Sequence, residues 1–140
     1  MQLSKNFYLA EFLESQTARR HNIQEQFKPS GLVIANLKLL CENILQPLRD
    51  EVGAITISSG FRCEKVNKLI GGAVGSQHQT GEAADIKGIT VSNKVLFDKI
   101  RALKLPYDQI IHEFGTKDNP AWVHVSFSKK NRRQVLYIGI

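Results

Sequence analysis

The sequence has only two cysteines, Cys41 and Cys63, separated by a long interval. This spacing fits neither a CxxC redox motif nor a zinc thiolate cluster, so we expect two reduced, buried thiols. No apolar run approaches the roughly 18 to 20 residues that a membrane span requires. Internal repeats, low-complexity tracts and a linker are also absent. These absences argue against a disulfide scaffold, a helical membrane protein and a repeat array.

The N-terminal segment MQLSKNFYLAEF lacks the apolar core and the cleavage site of a secretory signal peptide. We therefore expect the chain to be made as a soluble cytosolic product. If its substrate lies outside the cytoplasm, another component must deliver it.

The 140 residues have the composition of one globular domain, with 42% hydrophobic and 23% charged residues. The net charge of +6 favours an anionic environment. Outside the run at 129–133 the basic residues are scattered, and no nucleic-acid-binding motif accompanies them, so no specific nucleic-acid partner is expected. The run itself is either a solvated turn between strands or a contact for an anionic partner.

Hydrophobic periodicity predicts an α+β fold in which helices pack on one side of a small antiparallel sheet. The longest predicted helix covers 32–52, with Ser30 as its N-cap, a kink or restart at Pro47 and its end at Gly53. Shorter helices are predicted at 8–15, 18–21, 64–70 and 93–103. Strands are predicted at 54–58, 83–86, 107–114, 121–127 and 135–140, the third and fourth of them forming an antiparallel hairpin.

Several residues of chemical interest fall in one glycine-rich stretch, which holds Arg62, Ser76, His78 and Asp85. A further histidine, His124, follows in WVHVSF. Two imidazoles and one carboxylate are the ligand set of a catalytic zinc site that leaves the fourth tetrahedral position open. Spacing alone equally allows a hydrogen-bonded His78–Asp85 pair that closes a loop, with His124 in the core.

The surrounding motif adds a family resemblance. The pattern Ser76-x-His78-x-x-Gly81-x-Ala83-x-Asp85 follows Ser59-Gly60-Phe61-Arg62 and precedes Trp122-x-His124, and it resembles the zinc D-alanyl-D-alanine peptidases. That family contains D-alanyl-D-alanine carboxypeptidases and peptidoglycan endopeptidases and is structurally akin to the Hedgehog signalling domain. The similarity extends to 7–12, 46–49 and 131–133, so it covers nearly the whole chain.

The resemblance implies a Zn²⁺ ion held by His78, Asp85 and His124. It also implies that Arg62 binds a substrate carboxylate or carbonyl through its bidentate fork, and that Ser76 hydrogen-bonds the substrate. From the residues alone, Arg62 could instead form a surface salt bridge and Ser76 could stabilise a turn. His21, between polar and basic neighbours, is expected to be a solvated surface histidine.

The general base is where the sequence departs from much of the family. Many members carry an acidic residue three positions before the second zinc histidine, but here that position is Ala121. We expect Glu113 to replace it, because the hairpin turn could place Glu113 opposite His124, with His112 on the other face. Asp118 in the turn, or no protein base at all, are the alternatives.

The sequence therefore predicts a zinc metallopeptidase that hydrolyses peptidoglycan stem or cross-link peptides, as a carboxypeptidase or an endolysin-type endopeptidase. The missing secretion signal suits a phage or prophage lysin released by a separate membrane-permeabilising protein, and the positive charge suits an anionic cell wall. The alternative is a catalytically inactive, zinc-containing binding or assembly module on the same fold. We expect a monomer.

Overall fold

The computed structural model describes residues 1–140. Its elements in chain order are β1 Gln2–Ser4, β2 Phe7–Tyr8, α1 Leu9–Leu13, α2 Gln16–Arg20, a 3-10 turn at Gln24–Phe27, α3 Gly31–Leu40, a π-helical segment at Cys41–Leu45, α4 Gln46–Val52, β3 Ile55–Ser59, α5 Glu64–Leu69, β4 Ala83–Gly88, α6 Asn93–Ala102, β5 Gln109–Glu113, β6 Trp122–Ser126 and β7 Gln134–Ile138. The mixed α+β class is as predicted.

The main sheet has five strands in the order β3-β4-β6-β5-β7. Its first three neighbouring pairs are antiparallel, but β7 pairs in parallel with β5. The prediction of a purely antiparallel sheet is therefore wrong at this edge. The connection at 127–133 carries the chain past the start of β5, so that β7 lies on the other side of β5 from β6. The β1–β2 hairpin is a separate two-stranded sheet that was not predicted.

The two faces of the main sheet have different roles because side chains alternate along each strand. One face packs on helices α3, α4 and α6 and joins them in a single apolar cluster. Its central side chains are Ala84, Ile86, Ile110, Val123 and Val125, all fully buried. The opposite face carries Asp85, His124 and Glu113, which line a groove. Helices α3, α4 and α6 thus pack on one side of the sheet.

The long helical stretch is interrupted where Pro47 was expected to interrupt it. Proline lacks the N–H that an interior helical position would donate four residues back. Here the chain passes through a π-helical turn, in which the N–H of Gln46 donates to the carbonyl of Cys41, and Pro47 stands in the first turn of α4. The helix then ends at Gly53, with φ +83°, as predicted.

Some local predictions agree with the structure and others do not. His21 is exposed, as expected, whereas Cys41 is buried and Cys63 only partly buried, both of them free. Residues 129–133 do form a turn between β6 and β7, but Arg132 within it is ion-paired to a buried aspartate, Asp108. No helix is long and apolar enough to span a membrane.

Gly81 is the motif glycine whose conformation no other residue could adopt without strain. Its φ is +79°, and a Cβ at this position would lie 2.6 Å from the carbonyl oxygen of Val33 in α3. Gly75 in the same loop has a similar φ of +75° but open space around it.

We therefore expect Gly81→Ala to destabilise the fold more than Gly75→Ala does. Both variants meet the cost of a left-handed alanine, about 1–2 kcal/mol, but only Gly81→Ala also forces α3 away from the loop. Urea denaturation of the two variants measures the difference directly. Equal losses would mean that the close approach to Val33 contributes nothing.

Candidate metal centre

Two of the three candidate ligands are held by strand pairing. Asp85 on β4 lies directly opposite His124 on β6, so their side chains project from the same face of the sheet. His78 comes from the irregular segment between α5 and β4 and reaches the same point. All three residues are buried, and their donor atoms lie within 4.8 Å of one another.

The distances among these donor atoms fit a tetrahedral zinc ion. His124 Nδ1 lies 3.1 Å from Asp85 Oδ1, His78 Nε2 lies 3.4 Å from the same oxygen, and the two ring nitrogens are 3.3 Å apart. Zinc bonds of about 2.0–2.2 Å at the tetrahedral angle place neighbouring donors roughly 3.3–3.6 Å apart. Two imidazoles and a carboxylate at these distances could hold such an ion.

The orientation of the His78 ring is set by a second contact. Its Nδ1 lies 2.7 Å from the carbonyl oxygen of Gly60, and since a carbonyl only accepts, Nδ1 carries the proton. The lone pair of Nε2 is therefore directed toward Asp85 and His124. A ligand histidine whose other nitrogen donates to a carbonyl is the usual arrangement around protein-bound metals.

Asp85 is negatively charged in this setting. Burial alone would raise the pKa of Asp85, but the adjacent imidazole rings of His124 and His78 hold it well below its usual range. The guanidinium of Arg62 adds a further positive group, with Nη2 3.6 Å from Asp85 Oδ2. The carboxylate is thus ready to bind a cation.

Arg62 is held firmly at the edge of this cluster. Its Nε donates to Ser59 Oγ at 3.2 Å and its Nη1 to Asn67 Oδ1 at 3.2 Å, and only 15% of the side chain is exposed. Burial lowers the pKa of Arg62, and the negative charges of Asp85 and Glu113 oppose this shift. The sequence-based alternative of a surface salt bridge does not describe this environment.

Glu113 reaches the cluster, but from a different register than predicted. In the β5–β6 ladder Glu113 pairs with Trp122, and Ile111 pairs with His124. The pairing differs from the prediction because the two strands stay paired up to the first residue of the turn. Glu113 is therefore diagonal to His124, with Oε1 3.9 Å from His124 Nδ1. Burial raises the pKa of Glu113, and the negative charge of Asp85 raises it further.

The other sequence-based candidates are also placed by the structure. His112 points to the opposite face, as expected, where it is fully buried and its Nε2 donates to the carbonyl of Thr116 at 2.8 Å. Asp118 is exposed in the turn and does not line the groove. Ser76 lines the groove, and its Oγ also accepts from the backbone N–H of His78 at 3.2 Å.

The cluster lies in a groove of about 640 Å³. Its walls combine cationic, acidic and apolar side chains, among them Arg62, Lys130, Arg132, Glu113, Trp122 and Ile138. An open groove with a buried ligand cluster at its base could accommodate an extended peptide and expose one of its bonds to the cluster.

The sequence profile of peptidase M15 matches residues 5–126, a span that includes all three candidate ligands and Glu113. The chain belongs to the peptidase M15 family. This confirms the resemblance to the zinc D-alanyl-D-alanine peptidases and indicates a hydrolase that acts on peptides. No curated protein sequence matches the chain significantly.

The chain also contains buried polar residues that hold the site in place and that were not predicted from the sequence. Gln26 is fully buried, donates to the carbonyl of Phe61 at 2.8 Å and accepts from the N–H of Cys63 at 2.9 Å, so it fixes the segment that presents Arg62. No periodicity or spacing distinguishes this glutamine from a surface one. A glutamine in a short turn between helices gives no sign of burial.

Asp108 is the second missed residue and the most heavily hydrogen-bonded side chain of this M15 chain. It is fully buried just before β5 and accepts from the backbone N–H and the guanidinium of Arg132, from Gln77 and from Ser128. The hydrogen bond from Arg132 holds the pKa of Asp108 well below its usual range, against the opposing effect of burial. In the sequence it appears only as an aspartate before an apolar strand, which does not indicate burial.

Asp108→Asn should lower the free energy of unfolding by about 1–3 kcal/mol at pH 7, because hydrogen bonds to a charged acceptor are replaced by weaker ones. The folded-state pKa is lowered, so the stabilisation is complete above the unfolded-state pKa of about 3.9 and is lost as pH falls through the folded-state value. Urea denaturation should give a constant difference between wild type and variant from pH 7 to pH 5, and a smaller one at pH 3. A difference that does not change with pH would contradict the ionic role of Asp108.

Proposed function

We propose that the chain is a zinc-dependent peptidase that hydrolyses peptide bonds in peptidoglycan stem or cross-link peptides. The observation that carries the proposal is the convergence of His78, Asp85 and His124, with donor atoms 3.1–3.4 Å apart at the base of a groove. A zinc ion bound there would supply a Lewis acid that makes water a better nucleophile and polarises a carbonyl.

Arg62 and Ser76 are proposed to bind the substrate. Arg62 is pinned by Ser59 and Asn67 beside the metal ligands, so its fork is preorganised for a peptide carboxylate or carbonyl. Ser76 lies in the groove wall next to His78, and its hydroxyl hydrogen remains available for a carbonyl of the bound peptide.

Glu113 is proposed to be the general base. Its carboxylate lies in the groove, 3.9 Å from His124 Nδ1, where it can accept a proton from the attacking water and pass it to the leaving amine. Burial and the charge of Asp85 raise its pKa, which makes it a stronger proton acceptor than a solvated carboxylate. Glu113 on β5 would thus supply the carboxylate that many family members carry at the position occupied here by Ala121.

The remaining parts of the proposal concern the setting of this activity. We propose a single Hedgehog-like domain over 1–140 that acts as a monomer. A phage or prophage lysin that reaches the cell wall after release is the setting we favour, and the net charge of +6 suits an anionic wall.

A second candidate is a metal-containing binding or assembly module without catalysis. Ala121 favours it, because many family members carry an acidic residue three positions before the second histidine. Such a module would need the metal cluster and the groove but not Glu113.

One experiment separates the two functions. Protein prepared without chelator is expected to hold one zinc per chain by elemental analysis and to release new muropeptides, detected by mass spectrometry, from purified peptidoglycan. His78→Ala should lose both properties. Zinc retention without any digestion would favour the binding module, whereas less than a few tenths of an equivalent after zinc reconstitution would overturn the zinc peptidase.

Glu113→Gln tests the proposed base. The variant keeps the side-chain shape and removes the proton acceptor, so turnover should fall about 10²-fold or more while zinc content and fold are retained. Asp118→Asn is the matched control, since it removes a carboxylate from the exposed turn and should leave turnover unchanged. Near wild-type turnover in Glu113→Gln would exclude Glu113 as the base.

A further inference from the structure

His78 differs from the other two ligands in how it is held. Asp85 and His124 are fixed by the β4–β6 ladder, whereas His78 lies in a segment with no strand or helix of its own. The position of its ring therefore depends on individual contacts of the loop. On one side these contacts come from the end of β3, where Gly60 accepts from the ring and Arg62 N–H donates to the His78 carbonyl at 3.0 Å.

The contact on the other side is made by the preceding residue. Gln77 Nε2 donates to Asp108 Oδ2 at 2.8 Å. Because Asp108 stands immediately before β5, this hydrogen bond joins the His78 loop to the opposite side of the sheet from β3. The loop that carries the ligand is thus held from both sides.

Asp108 is itself a fixed anchor. Arg132 binds both of its carboxylate oxygens, at 3.0 Å through Nε and 2.8 Å through Nη2, and the backbone N–H of Arg132 adds a contact of 2.7 Å. Ser128 donates to Oδ2 at 2.9 Å. A carboxylate that is fully buried and bound in this way cannot follow a moving loop, so it restricts Gln77.

We propose that Gln77 and Asp108 are positioning residues for the metal centre, which hold His78 in the geometry that the ion requires. This inference rests on the proposed zinc function and extends it to two residues that are not metal ligands. With the tether in place, the loop is ordered before the ion arrives, so less of the binding free energy is spent on ordering it.

The expected size of the effect follows from its distance to the ligand. Removing a direct outer-shell partner of a metal ligand lowers metal affinity about 10- to 100-fold. Gln77 acts through the backbone of its neighbour, so we expect a loss of zinc affinity at the lower end, about tenfold.

The test compares two side chains that donate to the same oxygen of Asp108. Gln77→Met keeps a side chain of similar size without a donor, and it leaves the backbone contacts of Gln77 with Thr80 and Glu82 in place. Ser128→Ala removes the other neutral donor, and with it the acceptor for Lys130 N–H, but the Ser128 loop carries no ligand. Zinc dissociation constants are measured by competition with a chromophoric chelator, and melting temperatures are measured without metal.

We expect Gln77→Met to weaken zinc binding about tenfold and Ser128→Ala to leave it unchanged, with similar melting temperatures for the two metal-free variants. Wild-type zinc affinity in Gln77→Met would overturn this inference but not the proposed function. Equal weakening in both variants, together with lowered melting temperatures, would also overturn it, because it would show a merely structural network. Failure of the wild type itself to bind zinc would overturn the proposed function and this inference together.

Discussion

The pairing of Asp85 with His124 across β4 and β6 is the constraint on which the metal centre depends. Directly opposed residues in an antiparallel ladder share a face and lie within side-chain reach of each other. A shift of one residue in this register would turn the ligand of the shifted strand into the apolar core and separate the two side chains. The hydrophobic face of β4 and β6 therefore fixes the position of the two ligands, because Ala84, Ile86, Val123 and Val125 must stay buried.

The third ligand and the supporting side chains are held by polar contacts instead. Where the chain is irregular, hydrogen bonds made by Gly60, Gln26 and Asp108 hold it in place of regular secondary structure. Fully bonded buried polar groups of this kind specify one loop geometry, since leaving any of them unpaired is costly. Strand pairing thus positions two of the ligands, and single hydrogen bonds position the third ligand and the supporting side chains.

Much of this arrangement could be predicted from the sequence. The apolar stripe of α3, the break near Pro47 and the motif around His78 and Asp85 each depend on local chemistry. The predicted partner of Glu113, His124, was wrong, because the register depends on where the hairpin closes. Phe114 and Gly115 both take positive φ values, 56° and 69°, which ends β5 at Glu113 and pairs it with Trp122.

Long-range polar contacts were beyond sequence reasoning for a different physical reason. Asp108 acquires its partners from the 127–133 connection and from Gln77, which meet only because β7 crosses to the far side of β5. An aspartate before a strand has the same local pattern whether it is buried or solvated. Only the topology distinguishes the two, and the predicted antiparallel sheet did not include the parallel β5–β7 pair.

The π-helical turn has a consequence for the helical phase of the core. Leu40, Ile44, Leu48 and Val52 are all buried, although a constant spacing of four residues drifts by about 40° per step around a regular α-helix. The wider turn at Cys41–Leu45 takes up part of this drift by holding an additional residue. Loss of one residue there would rotate α4 by about 100° relative to α3 and turn Leu48 and Val52 away from the sheet. The extra residue thus keeps the two halves of the helix facing the same core.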